Sequence, residues 1–246
     1  MPCRSSRQLS TRSILPPEIP LLLTVCSGGE YENKSPKEIL LRNARDPNAA
    51  PLFNYASMAH NNHFFFQALS PDPTPMPAKV AQALEQSFSS VENLKREFIV
   101  TASSMFGPGF VWLVRTRDYK YSLLTTYLAG SPYPGAHYRR QSVDLNTEHD
   151  APMGGNDSLR KRFAEPANRV GAFGPHSQAR IAPGGIDLIP VLCLNMWEHA
   201  YLPDYGVGAF GAGGKKAYAE SWWHVIDWNV VAYRAEISKP PASFMT

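Results

Sequence analysis

An α+β fold is predicted from three observations. Helix-period patterns and helix-entry signals run from Lys34 to Gly109; three β-rich runs follow at residues 110–115, 121–127 and 186–194; and an apolar-striped segment returns to helix at the end. Helices and strands that occur in separate blocks segregate in space rather than alternating as βαβ units. The 246 residues, 43% hydrophobic and 18% charged, can bury a sizeable core as one large domain or two small lobes. The expected organisation is an irregular start (1–33), a helical part (34–109), an α+β domain (110–236) with a loop insertion at 131–185, and a tail (237–246).

KSPKEILL (residues 34–41) opens with Ser-Pro, a helix-entry signal because proline is tolerated in a first turn, and predicts a short helix. FNYASMAHNNHFFFQALSP (residues 53–71) has low intrinsic helix propensity but heavy aromatic content, and reads as a buried helix. Prolines at 71, 73, 75 and 77 make a stiff connector to a helix over residues 78–88. Ser89, with Glu92 three residues on, predicts a capping box; Val91, Leu94, Phe98, Ala102 and Met105 then fall on one helix face. Gly107-Pro108-Gly109 stops that helix. FVWLVR (110–115) and YSLLTTY (121–127), joined by a polar link, read as an antiparallel hairpin.

Residues 131–185 carry Gly, Pro, Asn, Ser and charge without periodicity and are expected to be loop. IDLIPVLCL (186–194) reads as a third strand, with Pro190 placing it at an edge or bend. One final helix is expected over residues 215–236, and no internal repeat is present.

A net charge of +3 marks a surface less basic than that of a dedicated DNA reader. Cys3, Cys26 and Cys193 are odd in number and far apart, which suggests neither a disulfide framework nor a zinc knuckle and fits a reducing compartment. The first seventeen residues hold Arg4, Arg7 and Arg12 with five Ser or Thr and no acid, a composition that fits a mitochondrial presequence and also an ordinary basic terminus. The longest apolar runs are far short of the roughly 18 residues that span a bilayer, so no membrane partner is expected. Gly206-Val207-Gly208-Ala209-Phe210-Gly211 matches the dinucleotide fingerprint G-x-G-x-x-G, but no strand precedes it and no acidic residue follows in the required context, so it reads as a loop.

NMWEHAY (residues 195–201) resembles the D-x-W-E-H-A-Y signature of the iron/manganese superoxide dismutases. KSPKEILL, FNYASMAHNNHFFFQALSP, FGPGFVWLV (106–114) and WWHVIDWNVVAYR (222–234) resemble further segments of that family in the same order. The resemblance covers about residues 34–127 and 186–235 and implies a superoxide dismutase-like fold, with a reduced N-terminal helical part and a C-terminal three-stranded antiparallel sheet flanked by helices. The family holds its redox metal with three His and one Asp. By the resemblance His199 stands at a His position, Asn195 at the Asp position and Asn62 at a second His position. His63 lies one residue out of register, about 100° round the helix.

A neutral amide is a poor substitute for a carboxylate that offsets metal charge. Nothing before Lys34 supplies the remaining His, and Met58 and Phe106 occupy the places of the glutamine that lies beside the metal. The implied protein is a degenerate, non-catalytic relative with no cofactor and no metal. His199 is then expected to be a buried imidazole bonded to a neighbour. His60 and His63 form at best an incidental metal pair, lacking a third and fourth ligand.

In the family the Trp-Glu-His-Ala-Tyr stretch is also an association surface, so Trp197, Glu198, His199 and Tyr201 are expected at a partner interface. The presequence-like start, the lost ligands and the motifs SPYPGAHYRRQ and ENKSP resemble a group of fungal mitochondrial small-subunit ribosomal proteins with a dismutase-like domain. That implies a structural subunit supporting mitochondrial translation, with ribosomal proteins as partners and a second dismutase-like chain as heterodimer mate. Arg139, Arg140, Arg160, Lys161, Arg162, Lys215 and Lys216 are the candidate rRNA contacts, the insertion's basic residues lying beside Tyr133, Tyr138 and Phe163. A nearly charge-balanced loop that touches only protein fits the insertion equally well. A working dismutase and a free-standing protein-binding module on the same fold are the alternatives.

Overall fold

The computed structural model describes residues 29–44, 46, 49–72, 74–133, 136, 188–208 and 213–237. Among them the chain runs α1 (Pro36–Asn43), α2 (Ala50–Gln67), α3 (Ala78–Phe88), α4 (Val91–Ser104), β1 (Gly109–Thr116), β2 (Tyr121–Tyr127), β3 (Leu188–Asn195), α5 (Glu198–Tyr205), α6 (Gly214–Trp223) and α7 (Trp228–Arg234). The three strands form one antiparallel sheet in the order β2-β1-β3, so the first strand is central and the predicted hairpin is present.

β1 is buried almost throughout, which is why FVWLV reads as a continuous apolar run rather than an alternating one. Its Trp112 is fully buried and satisfies its indole by donating from Nε1 to Thr126 Oγ1 of β2 at 2.9 Å. β3 is an edge strand, as Pro190 requires, and the proline also breaks the register: Leu113 faces Leu192 but Val114 faces Pro190, leaving Val191 as the extra residue of a bulge. A residue without an N–H cannot extend the ladder, and the bulge absorbs the mismatch. The main core joins the sheet to α2–α7, while a smaller one lies between α1 and α2 around Ile39, Leu40, Phe53 and Ala56.

Three expectations change at element ends. α1 starts at Pro36, and Ser35 and Glu38 form a complete capping box that the Ser-Pro reading did not name. The cap of α4 is Ser90, whose side chain accepts from Asn93 N; Ser89 instead terminates α3 in the left-handed region at φ 66°. Two adjacent serines offered the same local signal, and the short α3–α4 turn decides which one caps. The expected 215–236 helix is two, α6 and α7, with Asp227 capping the second. Leu69 bridges Ile226, and backbone bonds Ser70 N to Val225 O and Asp227 N to Ala68 O hold the gap open, so the segment after α2 competes for groups a continuous helix would have used.

The first residues of the expected 131–185 insertion pack into the fold. Ser131, Tyr133 and Ala136 are buried, and Tyr133 and Ala136 belong to the smaller core, which leaves Tyr133 unable to stack on a base. In the glycine-rich run Gly206 caps α5, and Gly208 lies so close to Gly214 that a Cβ on Gly214 would sit 2.7 Å from it, giving the glycines a packing role. Among the described residues no helix is long and apolar enough to cross a membrane.

Candidate functional site

The degenerate ligand positions converge where α2 crosses the end of β3. α2 is apolar nearly all round, so its polar residues enter the core and must find partners there. Asn62 and Asn195 are each 3% exposed, and Asn195 Nδ2 donates to Asn62 Oδ1 at 3.0 Å. The backbone N–H of Trp197 donates to Asn195 Oδ1 at 2.9 Å. Both amide oxygens are therefore engaged by protein donors, at the two positions that the sequence resemblance sets against an imidazole and a carboxylate.

His63 projects to solvent, as its offset round the helix requires. His199 is also exposed, in the first turn of α5 with its ring centroid 5.8 Å from that of Trp197. The expectation of a buried, bonded imidazole is thus overturned: α5 begins at Glu198 and directs its third face outward, while Tyr201 turns in. A redox metal does not fit this arrangement. Two neutral, already bonded amides and one solvent-facing imidazole supply neither the charge nor the convergence such an ion demands. Among the described residues no three His, Cys, Asp or Glu side chains gather into a ligand group.

His60 Nε2 shares a 2.8 Å hydrogen bond with the Tyr133 hydroxyl, which engages one of its two ring nitrogens. Burial pushes its pKa down to about 4, and the nearby positive charges of Lys37, His63 and Arg234 add to the effect. Burial also raises the Tyr133 hydroxyl and the Cys193 thiol above their ordinary ranges, leaving both neutral. Arg234 packs its guanidinium 3.5 Å from the Phe64 ring centroid and donates to Phe64 O and Gln67 Oε1. Burial brings its pKa down to about 10, so it keeps its charge at neutral pH.

Sequence reasoning missed a polar network one residue away. Asn61 Nδ2 donates to Gly130 O at 2.9 Å, Ser131 Oγ donates to Asn61 Oδ1 at 2.6 Å, and Ser57 Oγ donates to Ala129 O and lies 2.7 Å from Ser131 Oγ. All three side chains are fully buried or nearly so. The available signal was the four-residue spacing of Ser57 and Asn61, which puts two polar groups on one face of a helix.

The expected interface residues divide. Trp197 and Glu198 are half-buried and His199 exposed, whereas Tyr201 is 5% exposed and packs on Tyr218, so it backs this surface rather than forming it. Lys215 is half-buried, donates to Met105 O at 2.6 Å and lies 6.0 Å from the Tyr201 ring centroid. Lys216 is exposed, 4.0 Å from Glu220, on a groove of about 440 Å³ that Leu202 and Val207 also line. Arg139, Arg140, Arg160, Lys161 and Arg162 lie outside the described residues.

Comparison with known proteins adds lineage to this geometry. The chain is 29% identical over 221 residues to the small ribosomal subunit protein mS42 of Schizosaccharomyces pombe, covering 87% of this chain and 80% of that one. It is 31% identical over 216 residues to mS43 of the same organism, covering 84% and 69%. The superoxide dismutase [Fe] of Escherichia coli K12 is 26% identical over 212 residues, covering 86% and 78%. Residues 76–140 and 158–234 match the family model of iron/manganese superoxide dismutases, C-terminal domain. That match takes in α3–α7 and all three strands, together with the Asn195 that stands where the signature has its carboxylate, and it places the chain in the iron/manganese superoxide dismutase C-terminal domain family.

Proposed function

We propose that the protein is a non-catalytic structural component of the mitochondrial small ribosomal subunit. The observation that carries this reading is the likeness, over more than four-fifths of the chain, to two proteins named as small ribosomal subunit components. The amide pair at residues 62 and 195 supports the non-enzymatic part, since it fills ligand positions with groups that bond each other. The basic, acid-free start supports the mitochondrial address.

The partners are small-subunit ribosomal proteins, and the mate we propose for Trp197, Glu198 and His199 is a second dismutase-like chain. The presence of mS42 and mS43 side by side among the relatives of one organism supports a pair of non-identical folds of this type. Contacts to rRNA are assigned to Arg139, Arg140, Arg160, Lys161, Arg162, Lys215 and Lys216, because guanidinium and ammonium groups that neutralise phosphates release the counterions condensed on the nucleic acid.

Sedimentation of the tagged full-length chain in mitochondrial lysate at high magnesium tests the reading. Cosedimentation with the small subunit is expected, and a chain that stays in the light fractions overturns it. Metal analysis is the second arm. Stoichiometric iron or manganese with dismutation activity overturns the non-catalytic assignment.

A further inference from the structure

We infer that Asn62 and Asn195 form a metal-free clasp that fixes the course of the chain into α5 and so sets the position of Trp197, Glu198 and His199. Asn61 and Asn62 are neighbours on α2, about 100° apart round its axis, and each fastens the exit of a different strand. Asn61 bonds Gly130 O and Ser131 Oγ, just past β2; Asn62 bonds Asn195, the last residue of β3. α2 thus ties down both places where the chain leaves the sheet on this side.

The direction of every hydrogen bond in the clasp follows from one fixed group. The Trp197 backbone N–H can only donate, so the Asn195 oxygen must face it. Asn195 Nδ2 then faces Asn62, whose oxygen must accept. This chain of bonds runs from the helix through the strand end to the first backbone amide of the next segment. It needs no charge, which matters at 3% exposure, where an ionised group would carry a heavy desolvation cost. The carbonyl of Trp197 in turn accepts from Ala200 N at 2.9 Å, so the turn that presents Glu198 and His199 hangs from the clasp. Residues 62 and 195 are positioning residues in this account, acting on the partner-facing side chains through Trp197. The link to a partner rests on the ribosomal reading, while the clasp itself does not.

The test uses the full-length chain with Asn62→Leu, Asn195→Leu and the double variant, since leucine keeps the volume and removes the polar atoms. Each single change is expected to lower the folding equilibrium constant about tenfold to a hundredfold, because it leaves a buried partner unpaired. The double variant is expected to cost clearly less than the product of the two, as residues in one network do. Hydrogen exchange supplies a readout that general destabilisation would not move. In N195L the Trp197 amide is expected to lose about tenfold more protection than the β1 amides, which fall only with global stability. If N195L does not fold, Asn195→Ser carries the same exchange measurement.

A double variant whose cost equals the product, or Trp197 exchange that changes only in step with β1, overturns the clasp. So does a melting temperature that drops in chelator and recovers with iron or manganese. If cycle and exchange behave as expected but no chain sediments with the small subunit, the ribosomal reading has failed and the clasp stands. If N195L cosediments as well as wild type despite fast Trp197 exchange, the link between clasp and partner is overturned.

Discussion

Burial against Tyr133 and Phe64, with Lys37, His63 and Arg234 near enough to oppose a further positive charge, pushes the His60 imidazole down to about 4. In the unfolded chain the same group titrates near its ordinary value of about 6.5. Between these values the unfolded state binds the extra proton, so stability is retained above about 6.5 and lost as pH falls toward 4. The loss across that window is on the order of 3 kcal/mol. Replacing His60 with Phe is expected to lower stability at neutral pH by stranding the Tyr133 hydroxyl, and to flatten the acid limb; denaturant midpoints at pH 4.5, 5.5 and 7 check both. At this scale the sequence spoke unevenly. Asn62, Asn195 and His63 could be placed because helical geometry and a strand-end motif fix where they point. The exposure of His199 and the burial of Tyr133 could not, since each depends on elements distant in the chain.

Capping serines and a crowded glycine show how elements start and stop. Ser90→Ala is expected to cost about 1 kcal/mol through loss of the bond from Asn93 N. Ser89→Gly is expected to raise stability by roughly 0.5 kcal/mol, because φ 66° suits glycine better than serine. Thermal melts of the two variants would move in opposite directions, whereas a Ser89 cap would leave Ser90→Ala near neutral and make Ser89→Gly fall slightly.

Gly109 is a different case. A Cβ there would lie 2.2 Å from Thr126 O and 3.0 Å from Tyr127 Cα, both backbone atoms, so Gly109→Ala must spread β1 from β2. A loss of about 3 kcal/mol is expected, read from the urea midpoint. The strands were legible because β-rich apolar runs have clear ends, and residues 78–88 and 121–127 match their elements. The break between α6 and α7 was not, because the groups that open it belong to the segment just past α2.

Seen as one body, the fold is closed by long-range ties between the sheet and the C-terminal residues. Arg115, 3% exposed in β1, donates to Glu236 Oε2 at 2.7 Å beyond α7, with Tyr119 stacked on its guanidinium 4.6 Å away. Glu236→Ala would leave a buried cation short of its acceptor. A loss of about 1–2 kcal/mol is expected, tempered by the solvent around Glu236 and measurable by denaturant unfolding.

The α+β class and the dismutase-like order of elements could be read because five motifs recur in sequence. The packing of the first insertion residues could not, since Tyr133 and Ala136 find their places only against the α1–α2 hairpin.

The strand order has one more implication. β2 ends beside Gly109, whereas β3 begins beside Thr116, so residues 128–187 must cross from one edge of the sheet to the other and also travel its length, about 26 Å for an eight-residue strand. Both ends of that crossing are pinned by ladders that do not depend on what lies between. Doubling the length of such a closed loop costs only about 0.6 kcal/mol. Past the buried Ala136, the crossing is therefore a place where the chain can grow and change its chemistry at little expense to the fold, and two chains sharing this sheet can diverge there into subunits that bind different neighbours.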